Sequence, residues 1–198
     1  MNYSDFFIRL FGHLGNIHRL WWFIIKLLEY PYLRLLGVRI PFNVSFKGWC
    51  HFYKCESSKI YVGESCVFNS SSSSNHIGMN RNCSVSTLKK GASVLIGNNV
   101  GFSSSNINAF LRITIGNNVR VGANCVIMDG DFHLDDPRTG PPAPIVIEDN
   151  VWLGYGVIVM KGVTIGANSV IGANSIVTKD IPANVVAAGS PCKVIRNI

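Results

Sequence analysis

The sequence predicts an all-β chain wound as a parallel β-helix, a coil with three flat sides built from six-residue repeats. Two observations predict it. Ile147, Leu153, Val159, Ile165, Ile171 and Val177 stand six residues apart. An α-helix repeats every 3.6 residues and a flat strand every 2, so neither matches this period. A three-sided coil does, with one inward aliphatic per side and about eighteen residues per turn. The residues three positions further on are Asn150, Gly156, Gly162, Asn168 and Asn174. Asn and Gly tolerate the left-handed backbone region at low cost, so each side ends in a residue able to turn the chain.

The 198 residues suffice for one domain with a sizeable core plus an appendage. Residues 1–43 form that appendage, a helical segment for capping the coil or for an interface. Phe6, Phe7, Leu10, Phe11 and Leu14 recur at helical spacing, and Gly12, Gly15 and Asn16 then weaken the helix. A second apolar stretch, 21–28, is interrupted by Lys26, and Pro31 ends or kinks it. Neither run reaches the length needed to span a bilayer. Five basic residues (Arg9, Arg19, Lys26, Arg34, Arg39) face only Asp5 and Glu29. Two readings stay open: helices covering the open end of the coil, where a sheet edge needs protection, or peripheral contact with a membrane surface through residues 1–40.

The coil occupies residues 44–187, with 188–198 as a tail. Its first repeat-like unit is Ile60 to Gly63. Ile77, Ile96 and Ile115 each open an Ile-Gly-x-Asn unit at spacings of nineteen, one more than a perfect turn, which predicts a small bulge per turn. The serines 70–74 read as a polar edge. The pattern stops at residues 128–144, where four aspartates, four prolines and two glycines exclude both a helix and a central strand. This is the one ejected loop, and long loops on rigid scaffolds are where function concentrates.

The formal net charge of +7 fits an anionic cofactor or surface. Nucleic acid is a poor partner, since Lys89-Lys90 is the longest basic run. The six cysteines form no CxxC pair, and they read as reduced packing residues of a cytoplasmic protein, whether or not it associates with a membrane. The N-terminus lacks the pattern of a secretory signal. A zinc site needs about three converging ligands. The coil offers only His51, His76 and His133, too far apart in sequence, so no metal is expected.

His133 opens the ejected loop. A neutral imidazole near pH 7 suits proton removal from a hydroxyl. Asp129 and Asp131 are close enough in sequence to orient it, and a surface histidine in an acidic loop is the bland alternative.

The segment from Asp149 to Arg196, DNVWLGYGVIVMKGVTIGANSVIGANSIVTKDIPANVVAAGSPCKVIR, resembles hexapeptide-repeat acyltransferases, closest to galactoside and maltose O-acetyltransferases. The first 60 residues resemble O-acetyltransferases of polysaccharide assembly. The resemblance implies a left-handed coil, against the usual crossover rule, and a homotrimer with acetyl-CoA lying between two coils. It implies His133 as general base and Asp131 as its orienter. It implies that the pantetheine arm of acetyl-CoA passes Trp152, Tyr155 and Ala173, and that its phosphates and adenine lie near Thr178, Lys179, Lys193 and Arg196. Tyr155 stands where Ser is common, Asn174 where Gly is, and Lys193 where Arg is. Ser103 and Asn106, about one turn before His133, would line the acceptor pocket. The expected activity is O-acetylation of a sugar hydroxyl, in polysaccharide or glycoconjugate assembly. The alternatives are N-acetylation of an amino sugar nucleotide, an acyltransferase acting on an antibiotic, and a non-catalytic scaffold.

Overall fold

The computed structural model describes residues 3–133 and 135–198, with helix side chains described from Arg19 onward. Among the described residues one α-helix, α1 (Tyr3–Leu35), precedes eighteen short parallel strands and one antiparallel strand, with a 3-10 turn at Ser72–Ser74. The strands stack into three faces of eight, six and five. The first face begins with Ser45–Lys47, the second with His51–Lys54 and the third with Lys59–Val62. The chain visits the faces in that order on every turn, so this is the three-sided coil that the hexads demand.

Register explains the periodicity. Val62, Ile96, Ile115, Ile147 and Ile165 lie in line up the third face. Phe46, Phe68, Phe102, Val121, Leu153, Ile171 and Ala187 line the first. Phe52, Val85, Ile107, Ile127, Val159 and Val177 line the second. All six hexad anchors from Ile147 to Val177 are fully buried. The lower turns are filled instead by stacked rings, with Phe46 over Phe68 at 5.5 Å and Phe68 over Phe102 at 4.9 Å between centroids.

The corners carry the backbone cost. Between the third and first faces Asn99, Asn118, Asn150, Asn168 and Asn184 all have φ between 55° and 60°. Each side-chain amide donates to the next Asn carbonyl, at 2.8 to 3.1 Å, which gives one continuous ladder. Asn124, Gly156 and Asn174 turn the corner between the first and second faces in the same left-handed conformation. A side chain that satisfies its neighbour while accepting positive φ is why Asn outnumbers other non-Gly residues there.

Three expectations change. α1 runs unbroken through Gly12, Gly15, Asn16 and Pro31. Pro31 sits in its last turns and removes only one intrahelical bond, and the helix ends at Leu35, beyond which Gly37 turns the chain at φ 80° and Val38 N–H donates to the Leu33 carbonyl at 2.9 Å. Ile77 is not a coil anchor. It is exposed, and Val62 takes the register position below Ile96. Residues 70–83, between the strands Val67–Asn69 and Ser84–Thr87, form a second ejected loop that contains the serine run. The tail also turns back onto the coil: Lys193–Asn197 pairs antiparallel with Val185–Ala188.

α1 buries one stripe, Ile25, Glu29 and Leu33, against the first turn of the coil. Leu20, Trp21, Phe23, Leu27 and Leu28 remain exposed. No described helix is long and apolar enough to cross a membrane.

Candidate active site

The loop that carries His133 leaves the second face after Val126–Met128 and rejoins the third at Ile145–Ile147. Its base is held by four contacts. The Asp129 carboxylate, fully buried, accepts the backbone N–H groups of Phe110, Leu111 and Arg112 at 2.5 to 2.9 Å. Burial pushes its pKa above the ordinary Asp value, against the pull of those three donors. Gly130 lies against the Phe110 ring, and a Cβ there would meet it at 2.8 Å. Phe132 stands edge-on to Phe110, with centroids 5.4 Å apart. Ala143 N–H returns to the Asp129 carbonyl at 2.9 Å and closes the loop.

Asp131 is taken up elsewhere than on His133, contrary to the orienting role the sequence suggested. Its carboxylate accepts from Lys161 Nζ at 2.7 Å, both side chains being partly buried, and Lys161 also donates to the Gly140 carbonyl at 3.0 Å. A cation within reach outcompetes a neutral imidazole for a carboxylate. The backbone of His133 is fixed instead: its carbonyl accepts from Asp136 N–H at 3.1 Å and from Thr139 Oγ1 at 3.2 Å. The His133 side chain is left exposed at the edge of the coil.

The expected donor residues fall into three groups. Tyr155 and Ala173 sit at the corner between the first and second faces, where the Tyr155 hydroxyl accepts from Asn124 Nδ2 at 2.9 Å. Trp152 projects from the first face and is about half exposed. Thr178 and Lys179 follow the second-face strand Ile176–Val177 at its far end. That turn is set by Asp180, whose carboxylate accepts from Thr164 N–H at 2.7 Å. Lys193 and Arg196 lie on the last strand, beyond a turn that docks where Cys192 N–H donates to the Ile176 carbonyl at 2.8 Å. Lys179, Lys193 and Arg196 are all exposed. A single protomer therefore has Tyr155 and Ala173 at one end of the second face and His133 and Lys179 at the other.

Ser103 is mostly buried, and Asn69, at the end of the strand Val67–Asn69, and Asn75, in the second loop, each donate to its hydroxyl at 3.2 Å. A hydroxyl held by two amides under a loop does not face an acceptor directly. Asn106 keeps an outward, half-buried place on the second face. Among the described residues no group of three His, Cys, Asp or Glu is placed to hold a metal. The six cysteines are free thiols, all but Cys55 buried.

Sequence reasoning missed Lys161, Asn124 and the 70–83 loop. Asn124 accepts from Asn80 N–H at 3.3 Å and donates to the Gly78 carbonyl at 2.9 Å, so it joins that loop to Tyr155. Its only sequence signal was its place in the corner register.

Residues 144–179 match the bacterial transferase hexapeptide family (six repeats), and residues 112–130 match the hexapeptide repeat of succinyl-transferase. Galactoside O-acetyltransferase of Escherichia coli strain K12 is 50% identical over 90 residues, 43% of this chain and 44% of that one. Galactoside O-acetyltransferase of Lactococcus lactis is 48% identical over 98 residues, with the same two shares. The chain thus spans less than half the length of these relatives. An N-acyltransferase from Bacillus cereus shares the fold at a TM-score of 0.60, with 16% identity over 85% of this chain and 88% of that one. The matched repeats and the three-faced coil make this chain a left-handed parallel β-helix of hexapeptide repeats, similar over its matched residues to hexapeptide-repeat acetyltransferases.

Proposed function

We propose that the protein is an acetyl-CoA-dependent O-acetyltransferase acting on a sugar hydroxyl, in polysaccharide or glycoconjugate assembly. The observation that carries this reading is the 129–144 loop. Its base is fixed by the Asp129 carboxylate, the Phe110 ring and the Lys161–Asp131 pair, and it leaves His133 exposed at the edge of the coil. Rigid presentation of one imidazole into a site completed by another surface suits a general base, because proton transfer requires the acceptor hydroxyl at about 3 Å. The similarity to two galactoside O-acetyltransferases supports a hydroxyl acceptor.

In this reading His133 takes the proton from the sugar hydroxyl as its oxygen attacks the thioester carbonyl. The backbone N–H of Tyr155 holds the tetrahedral oxyanion, since those of Gly154 and Gly156 on either side donate to the Ile171 and Ala123 carbonyls. Collapse breaks the carbon–sulfur bond, and His133 returns the proton to the departing thiolate. The sugar leaves as its acetate ester. Lys179, Lys193 and Arg196 supply positive charge for the phosphates of the donor, the Lys residues as point charges rather than planar forks. The Cys125 thiol has no part in this scheme: burial pushes it up to about 11, which makes it a poor nucleophile. Residues 1–43 act as a cap on the coil and 188–198 as part of the donor site.

Calorimetric titration of acetyl-CoA into the full chain, with Lys179→Ala alongside, tests the donor side. Saturable binding weakened several-fold by the substitution is the expected result, and a folded protein that binds no acyl-CoA would point to the scaffold reading. Offering hydroxyl and amine sugars side by side then separates O- from N-acetylation.

A further inference from the structure

A cleft of about 520 Å³ opens between α1 and the 70–83 loop. Trp21 and Trp22 line it from α1, Trp49 from the turn before the strand His51–Lys54, and Asn80, Arg81 and Asn82 from the loop, together with its serines. Three of the chain's four tryptophans thus meet in one place outside the candidate active site. Trp21 is 54% and Trp49 45% exposed, so neither is spent as a core anchor.

The chemistry of the two parts of the lining differs. Indole rings offer flat apolar faces with a polar edge. The loop offers amides, hydroxyls and one guanidinium, whose Nε donates to Asn80 Oδ1 at 2.9 Å. A pyranose has the same two-sided character, with a C–H face that stacks on an aromatic plane and a rim of hydroxyls that pair with amides. A lipid surface would strip water from the Arg81 guanidinium and the polar groups of Ser72, Asn80 and Asn82 without replacing it, at the cost of desolvation. The volume falls within the range of small-ligand sites.

The cleft is also tied to the candidate donor strip. The loop that walls it is fastened to Ser104, which accepts Arg81 N–H at 3.0 Å. It is fastened again to Asn124, which accepts Asn80 N–H and donates to the Tyr155 hydroxyl. One segment therefore touches the cleft on one side and the Tyr155 corner on the other.

We propose that this cleft binds the carbohydrate chain of the acceptor, away from the hydroxyl that is acetylated, and that the 70–83 loop sets acceptor specificity. The proposal rests on the sugar-acetyltransferase reading above, and its test is independent of acetyl-CoA.

In the full chain with Trp152→Phe, the three cleft tryptophans are the only indoles. Their fluorescence is followed while maltohexaose, a galacturonate oligosaccharide, glucose and phosphatidylglycerol vesicles are added in turn. Saturable quenching by at least one oligosaccharide below about 10 mM is expected, at least tenfold tighter than by glucose. Adding Trp49→Ala should weaken it tenfold or more, while Arg81→Ala should weaken the acidic oligosaccharide more than the neutral one. Circular dichroism verifies the fold of each variant. No saturable response to either oligosaccharide, a response unchanged by both substitutions, or a response to vesicles alone would overturn the proposal, the last in favour of a lipid surface. Acetyl-CoA calorimetry on Trp49→Ala keeps the two readings separate: unchanged donor binding with lost sugar binding supports the cleft, and sugar binding with no donor binding in any variant removes the acetyltransferase reading alone.

Discussion

In the proposed reaction His133 acts as a base only if its ring is delivered to the acceptor hydroxyl, and delivery then rests on the groups that fix the loop around it rather than on a carboxylate partner. His133→Ala removes the base and nothing that holds the loop. Turnover is expected to fall by about 10²- to 10⁴-fold, with acetyl-CoA affinity unchanged by calorimetry; lost donor binding would count against the assignment. Lys161→Met tests delivery. It unpins Asp131 and the Gly140 carbonyl together. The pair is partly buried but keeps contact with water, so its loss costs about 1 kcal/mol and the melting temperature should fall by only a few degrees. The acetylation rate should nevertheless drop several-fold at unchanged donor affinity, because a misplaced base costs rate more than binding. A Lys161→Met enzyme with full activity would show that the loop needs no such brace.

Two elements carry charge or strain that stability measurements can read. Glu29 is buried under α1, where one carboxylate oxygen accepts Cys50 N–H at 2.6 Å and the other has no hydrogen-bond partner. Burial, opposed by the Cys50 amide and helped by nearby Cys83, raises its pKa from 4.5 to about 8. A raised carboxyl pKa means the folded state holds a proton that the unfolded state has lost. This contribution is complete below about pH 4.5 and disappears as pH rises towards 8. Glu29→Gln mimics the protonated form, so its melting temperature should exceed the wild type at pH 9 and match it near pH 5. Asn150 tests the corner ladder. Asn150→Ala loses two side-chain bonds and leaves at φ 60° a residue without the polar side chain that lets Asn tolerate that conformation, a cost of roughly 2 kcal/mol in denaturant unfolding. Asn150→Gly should recover the backbone share of that cost. The upper turns were legible in the sequence because each side admits one aliphatic and one turning residue, so hexads cannot slip. The lower turns were not, because Phe46, Phe68 and Phe102 fill the same volume with fewer, larger side chains and the spacing stretches. Ile77 misled for a related reason: Ile-Gly-x-Asn is also good loop chemistry, and nothing local distinguishes it from a coil corner. Asp131 misled because proximity in sequence says nothing of Lys161, thirty residues on.

At the scale of the molecule the second face matters most. Its strands span only two to four residues, about 10 Å at most along the chain. Even so, this face separates the Tyr155 corner from the His133 loop and the Lys179 turn. In the proposed reaction these two ends act on one thioester, which a threefold ring allows by setting the loop end of one coil against the Tyr155 corner of the next. The expected assembly is a homotrimer with a site at each of its boundaries, checked by light scattering on the purified chain. Mixed trimers give the sharper test. His133→Ala lacks the base, and Ala173→Glu obstructs the corner while its own loop stays intact. Each alone should be inactive. Unfolded together and refolded at equal amounts, they place an intact loop against an intact corner at about a quarter of the boundaries. Recovery of about that share of wild-type activity is the expected result. Mixed trimers that form yet stay inactive would mean that each protomer builds its site from its own residues.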